Sequence, residues 1–237
     1  MKNKGAIAIL GGMGPAASAK MLDVMVSMVS KEFGAKEGED FPEIIVDSIP
    51  IPDFISDKRK LASARMMLKS RVINMNKLNV SCLAMACNTA HLLVEELSAV
   101  SKVPFISMID SVCDVVSARG LRTVGILATP STINECLYQG ALNMRKINFI
   151  LPSENQILEI ERIIRKIIAE DAGTSESRTL VNIASSLVLK GAQGIILGCT
   201  ELPLIFPKDF SVNVFDSVEL TSRTLLTRHF DGRRKNG

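Results

Sequence analysis

Tryptophan is absent from this 237-residue chain, and aromatic residues make up only 4% of it. The core must therefore be aliphatic, built from Ile, Leu, Val, Ala and eleven Met. Charge of one sign is missing too. With 28 basic against 25 acidic residues the net charge is +3, too balanced for a nucleic-acid footprint. The short basic run Arg233-Arg234-Lys235 reads as a solvated, frayed tail. No apolar run approaches the ~18 residues a membrane span needs. Lys2 and Lys4 precede an apolar stretch, and Ala17-Ser18-Ala19 mimics a signal cleavage site, but Gly11-Gly12-Met13-Gly14-Pro15 breaks that stretch early. Five cysteines without a CxxC pair argue against a disulfide framework and against a zinc site, and two distant histidines, His91 and His229, argue against a metal enzyme. Free thiols in an odd number suit a reducing cytoplasm, which is the expected location.

What is present is ordinary globular material, 47% hydrophobic and 22% charged, which excludes disorder and coiled coil. The length fits one large or two small domains and buries a core without disulfide or metal staples. Short aliphatic runs predict strands over 5–10, 43–47, 80–86 and 103–108. Helical spacing predicts helices over 16–29, 61–78 and 89–100. The pattern then restarts, with strands over 123–127, 194–197 and 212–215 and helices over 155–170, 175–189 and 217–229. Alternation of this kind implies parallel sheets covered on both faces. Ile9-Leu10 recurs as Ile126-Leu127, Cys87 as Cys199, and Asp110-Ser111-Val112 as Asp216-Ser217-Val218, at offsets that shrink along the chain. The expected architecture is two pseudosymmetric parallel-sheet α/β domains facing one cleft, which would hold the active site. One comprises 1–110 with 214–237 and the other 111–213, with a boundary near 108–117.

The repeat sets one cysteine at the carboxyl end of a strand in each half, where open α/β sheets bind ligands. A helix start is expected after each, supplying N–H groups that favour a thiolate. Two thiols flanking one small carboxylate suit proton removal on one face and delivery on the other, as in a cofactor-independent racemase. Strand ends also hold many inert, buried cysteines. Cys82 reads as core, and Cys113 and Cys136 have no such pairing. His91, one turn past Cys87, is placed to orient the thiol or to help deprotonate it, or else is a capping or surface histidine, and His229 has no evident role. Gly12-x-Gly14-x-x-Ala17 also fits a loose dinucleotide fingerprint. Against it, Pro15 removes a donor from the helix start, and Asp47 lies well beyond the ~20 residues at which a ribose-binding acid would sit.

Taken in order, Gly11-Gly12-Met13-Gly14-Pro15, Cys87-Asn88-Thr89-Ala90-His91 and Gly198-Cys199-Thr200-Glu201-Leu202 resemble the aspartate/glutamate racemase family. Ile51-Pro52-Asp53, Ile106-Ser107-Met108-Ile109 and Ala128-Thr129 fall where that family has similar segments, so the resemblance spans nearly the whole chain. It implies a cofactor-independent amino-acid racemase that uses no pyridoxal phosphate, takes a small amino-acid substrate and is usually a homodimer. Cys87 and Cys199 would be the two acid/base residues. Asn88, Thr89 and Thr200 would hold the α-carboxylate and ammonium, with Met13, Thr129 and the backbone around Gly12 lining the same site and His91 and Glu201 in supporting places. Preorganised donors suit the enolate-like charge that develops, and thiols ordinarily near 8.5 must be poised so that one is ionised while its partner is protonated. Two departures bear on substrate. The resemblance places an Arg that grips a side-chain carboxylate where this chain has Phe54, and a second cation, a Lys, near Ala169. Lys58, Arg59, Arg165 and Lys166 are the candidates to compensate. A buried acidic side chain without a cation is costly, so a less acidic substrate stands beside aspartate and glutamate. The alternatives are a diacid isomerase or decarboxylase of the same superfamily, or an amino-acid-binding regulator without turnover.

Overall fold

The computed structural model describes residues 5–55 and 57–234. Lys2, Lys4 and Lys235, invoked above, lie outside the described residues. The chain divides into two compact units, one formed by residues up to Met108 together with those from Thr221, the other by Ile109–Leu220.

In the first unit β1 (Ala6–Gly11), α1 (Pro15–Glu32), β2 (Ile44–Ser48), α2 (Leu61–Met75), β3 (Val80–Met85), α3 (Val94–Val100) and β4 (Phe105–Ile106) alternate. The strands pair in parallel in the order β2-β1-β3-β4. A strand presents successive side chains to opposite faces. On β1, Ala8 and Leu10 join Leu68, Val72, Leu93 and Leu97 from α2, α3 and the turn before α3 in one core. Ile7 and Ile9 are equally buried on the opposite face. Each such aliphatic side chain contributes about 1.5–3 kcal/mol on burial, so a sheet poor in aromatics still holds.

α4 (Met108–Ala118) runs out of the first unit into the second. There follow β5 (Thr123–Ala128), α5 (Pro130–Asn134), α6 (Leu137–Met144), β6 (Asn148–Ile150), α7 (Glu154–Ile168), α8 (Thr174–Leu189), β7 (Gly194–Gly198), β8 (Asn213–Asp216) and α9 (Ser217–Arg234). Their sheet order, β6-β5-β7-β8, repeats that of the first unit. Leu127, Ile195 and Leu197 pack with α7 and α8, whereas Val124, Ile126 and Ile196 pack with α4 and α6, so both faces of this sheet are covered.

Several expectations are corrected. The strand expected over 103–108 is only Phe105–Ile106, because Met108 already begins α4. The helix expected over 89–100 opens as a 3-10 turn at Thr89–Leu93 and becomes α-helical only at Val94. Of the residues from 214 expected in the first domain, those from Thr221 belong to it, whereas β8 pairs with β7 from Gly194↔Asn213 to Leu197↔Asp216, which ties it to the second. The basic run expected to fray is, at Arg233 and Arg234, still helical backbone. His229 is buried and packed rather than idle. Its Nδ1 lies 3.4 Å from Ser81 Oγ and its ring meets Phe230 edge-on.

Candidate active site

In the first unit the register sets Leu10 of β1 beside Met85 of β3, and the Ala86 N–H donates to the Leu10 carbonyl at 2.8 Å. The loops leaving the two strands therefore start side by side. The loop after β1 holds Gly12 and Met13. Gly12 has φ +92°, and a Cβ there would collide with the main chain of Ile49, so only glycine fits the turn. Pro15 then occupies the first turn of α1, where no donor is needed. The loop after β3 holds Cys87, 3% exposed, followed by the equally buried Asn88 and Thr89. Cys87 shares its apolar surroundings with Ile49 and Phe54, and Met13 packs against the same group.

His91 explains how this loop keeps its shape. The Met108 N–H donates to its Nε2 at 2.8 Å, and its Nδ1 lies 2.7 Å from the Cys87 carbonyl. A backbone N–H can only donate, so Nε2 is the acceptor and the ring proton sits on Nδ1, donating to the carbonyl. Both nitrogens of a buried, neutral imidazole are thus held on main chain. Of the two roles expected for His91, orienting the cysteine fits this geometry, and removing its proton does not.

In the second unit Ala128 of β5 pairs with Gly198 of β7, so Thr129 and Cys199 emerge next to each other. Thr129 caps α5: its Oγ1 accepts from the Thr132 N–H at 3.1 Å and donates to Thr132 Oγ1 at 3.0 Å. Pro130 beside it sits in the first helical turn. Cys199 is 7% exposed, Thr200 2% and Glu201 3%. The Cys199 thiol donates to Glu201 Oε2 at 3.0 Å, and the Thr200 hydroxyl donates to the same oxygen at 3.0 Å. Glu201 Oε1 is buried and has no hydrogen-bond partner among the described residues. Beneath the strand end lies Tyr138, fully buried, whose ring edge would stand 2.9 Å from a Cβ on Gly198. Burial pushes its phenol well above the ordinary value, helped by the neighbouring Cys113, Cys199 and Asp216.

Neither cysteine opens an α-helix. Cys87 precedes the 3-10 turn Thr89–Leu93, and Cys199 the 3-10 turn Leu202–Leu204. The helix macrodipole expected at the thiols is therefore replaced by single-turn N–H groups. The other cysteines differ from these two in setting. Burial pushes the Cys82 thiol up, and it pushes Cys113 up to about 12. Cys136 is exposed at φ 53°, ahead of α6. Three of the four candidate cations are paired elsewhere. Arg59 grips Asp57 through Nε and Nη2 at 2.8 and 2.9 Å, Arg165 reaches Glu161 at 2.6 Å, and Lys166 reaches Glu176 at 2.7 Å. Phe54 is 4% exposed. Among the described residues no cluster of three or more His, Cys, Asp and Glu forms a metal site, and no helix is long and apolar enough to cross a membrane.

The sequence reading missed the thiol–carboxylate contact of Cys199, the Tyr138 floor and the His91–Met108 brace. The first had a signal in the i, i+2 spacing of Cys199 and Glu201. The other two join segments whose pairing no local pattern announces.

A family model described as Asp/Glu/Hydantoin racemase matches residues 10–225. The broad specificity amino-acid racemase RacX of Bacillus subtilis is 26% identical over 136 residues, 57% of this chain and 60% of that protein. A glutamate racemase of Streptococcus thermophilus is 26% identical over 167 residues, 66% of this chain and 59% of its own length. The chain thus spans about three-fifths of these curated relatives. Among solved structures, an aspartate racemase homologue from Pyrococcus horikoshii superposes with TM-score 0.80 at 28% identity, covering 94% of this chain and 98% of its own. The Picrophilus torridus aspartate racemase gives 0.82 at 26%, covering 95% and 94%.

Proposed function

The chain belongs to the Asp/Glu/hydantoin racemase family, and from that premise we propose that it is a cofactor-independent amino-acid racemase in which Cys87 and Cys199 exchange the α-proton. The observation that carries the reading is the equivalence of the two thiols. Each is buried and follows the carboxyl end of the equivalent strand, β3 or β7, in two sheets of the same order. In each unit the neighbouring loop, after β1 or β5, emerges beside it. In the proposed step a thiolate removes the α-proton from one side of the substrate while the other cysteine, as thiol, delivers one from the opposite side. The substrate carbon passes through an enolate-like state whose charge needs donors. Asn88, Thr89 and Thr200 are the side chains beside the thiols that we assign to the α-carboxylate and ammonium.

For the substrate's side chain we propose a less acidic group than that of aspartate or glutamate. Phe54 is buried in the apolar group that includes Cys87, and Arg59, Arg165 and Lys166 are committed to other carboxylates. An ionised side chain left against Phe54 would keep its desolvation cost. One relative is itself named a broad specificity racemase.

The test is incubation of reduced protein in D2O with single L- and D-amino acids, following α-proton exchange by NMR, with Cys87→Ala and Cys199→Ala alongside. Exchange with inversion, lost in both variants, is expected for residues with neutral side chains. Silence of the folded wild type across the whole set would sink the racemase reading. Turnover of acidic amino acids alone would reject the substrate assignment.

A further inference from the structure

The second cysteine has a proton acceptor built against it. Glu201 is 3% exposed, and its Oε2 accepts from the Cys199 thiol and from the Thr200 hydroxyl, each at 3.0 Å. Its other oxygen, Oε1, is buried and unpartnered among the described residues. A native protein seldom leaves a buried carboxylate oxygen without a donor, because the desolvation is then uncompensated. A proton taken up by this carboxyl group relieves the charge that makes the lone oxygen costly. The group positioned to supply that proton is the thiol already pointing at Oε2.

We propose that Glu201 is the proton partner of Cys199, a positioning residue that takes the thiol proton when Cys199 acts as base and returns it when Cys199 acts as acid. The step is balanced within the pair. The S–H bond breaks, its electron pair stays on sulfur as thiolate, and the proton forms an O–H bond at Oε2, so the pair keeps a single negative charge throughout. Thr200 holds the shared oxygen in place. The inference rests on the assignment of Cys199 as an acid/base group, but it concerns the state of the thiol and can be read without turnover. Tyr138 from α6 stands beside Cys199, with Cys113 of α4 and Asp216 of β8 near it. Burial keeps the first two from ionising near neutrality, with Cys113 at about 12. Asp216 Oδ1 accepts from the Val218 and Glu219 N–H groups at 2.8 and 3.2 Å, capping α9.

A coupled pair has a signature that a lone thiol lacks. Below its own pKa a lone thiol loses reactivity tenfold for each pH unit. A thiol that hands its proton to a carboxylate reacts in proportion to the pair that has lost one proton. Because a buried pair that already carries one negative charge resists a second, its rate levels off over the range in which the pair holds a single proton and falls only where the pair takes up a second. The experiment is alkylation of the intact protein by iodoacetamide from pH 4 to 9, with Cys199 modification quantified by peptide mass spectrometry. The wild type should show a plateau near neutrality. Glu201→Gln should replace it with a continuous tenfold decline per unit, and Glu201→Asp should restore part of it. A tenfold decline per unit in the wild type overturns the proposal even if the glutamine variant does not fold. An unchanged plateau in folded Glu201→Gln overturns it as well. Loss of the plateau with α-proton exchange intact would fail this inference alone. A plateau without any exchange would fail the racemase reading alone.

Discussion

The turn after β3 and the turn after β7 occupy the same place in two sheets of the same order, each with a buried cysteine, yet they are stabilised differently. Around Cys87 the polar fixing runs through main chain: His91 donates to the cysteine's own carbonyl and accepts from the Met108 N–H, while Ile49, Phe54 and Met13 make the surroundings apolar. Around Cys199 the fixing runs through the thiol itself, which donates to a buried carboxylate. A duplicated fold thus conserves where a thiol sits without conserving what governs its proton. The first turn is a rigid shelf, and the second is a proton-holding pair.

The largest effects are expected at the thiols. Cys87→Ala and Cys199→Ala should each lower racemisation by at least the ~10²–10⁴-fold that a general acid or base contributes. A large difference between the two variants in α-proton exchange would show that one side does most of the work. Phe54→Ala should come next, because it empties a buried aromatic site. A loss of about 3–5 kcal/mol in urea unfolding is expected, and a loss below 1 kcal/mol would mean that Phe54 is not part of the core that supports Cys87. His91→Leu should follow, at about 1–3 kcal/mol for each buried backbone group left without its partner. Unlike Glu201→Gln, it should alter the pH dependence of Cys199 alkylation little, which separates the shelf from the pair.

The smallest effect is in the second unit, far from the thiols in sequence. The Lys166 ammonium, with the Gly173 N–H and the Ser175 hydroxyl, holds the Glu176 carboxyl down to about 2. A carboxyl group depressed in the folded state contributes stability above its unfolded value, ordinarily about 4.3, and that contribution fades as pH falls towards 2. Urea midpoints should therefore drop between pH 5 and pH 2.5. Lys166→Met should flatten that slope, and an equal slope in the variant would remove Lys166 as its source.

Much of this was legible in the sequence. Aliphatic runs marked β1, β3, β5 and β7, and a glycine stops the first and the last of them. What stayed hidden has physical reasons. β6 is three residues beginning with a polar Asn148, too short to show a period, and it holds only because it lies along β5 from Thr123↔Asn148 to Gly125↔Ile150. α6 follows a left-handed Cys136, where a glycine would have announced the break. α4 was read as a junction because its apolar residues serve the second core from a segment that begins in the first. At the site, the cysteines and their flanking residues were visible as a pattern. The brace on His91 was not, since its partner is a backbone amide whose identity sequence does not encode.

The last helix carries a further consequence. α9 leaves the second unit at Leu220 and completes the first, with Arg223 gripping Glu32 and Phe230 stacking on Phe33 at 4.6 Å between centroids. Whatever emerges from a ribosome in order must therefore close out of order. The second unit is a continuous stretch and can be whole while the first still waits for its final helix. The half that is made first is the half that finishes last, and its unpaired α1 surface is what a chaperone would meet in the interval.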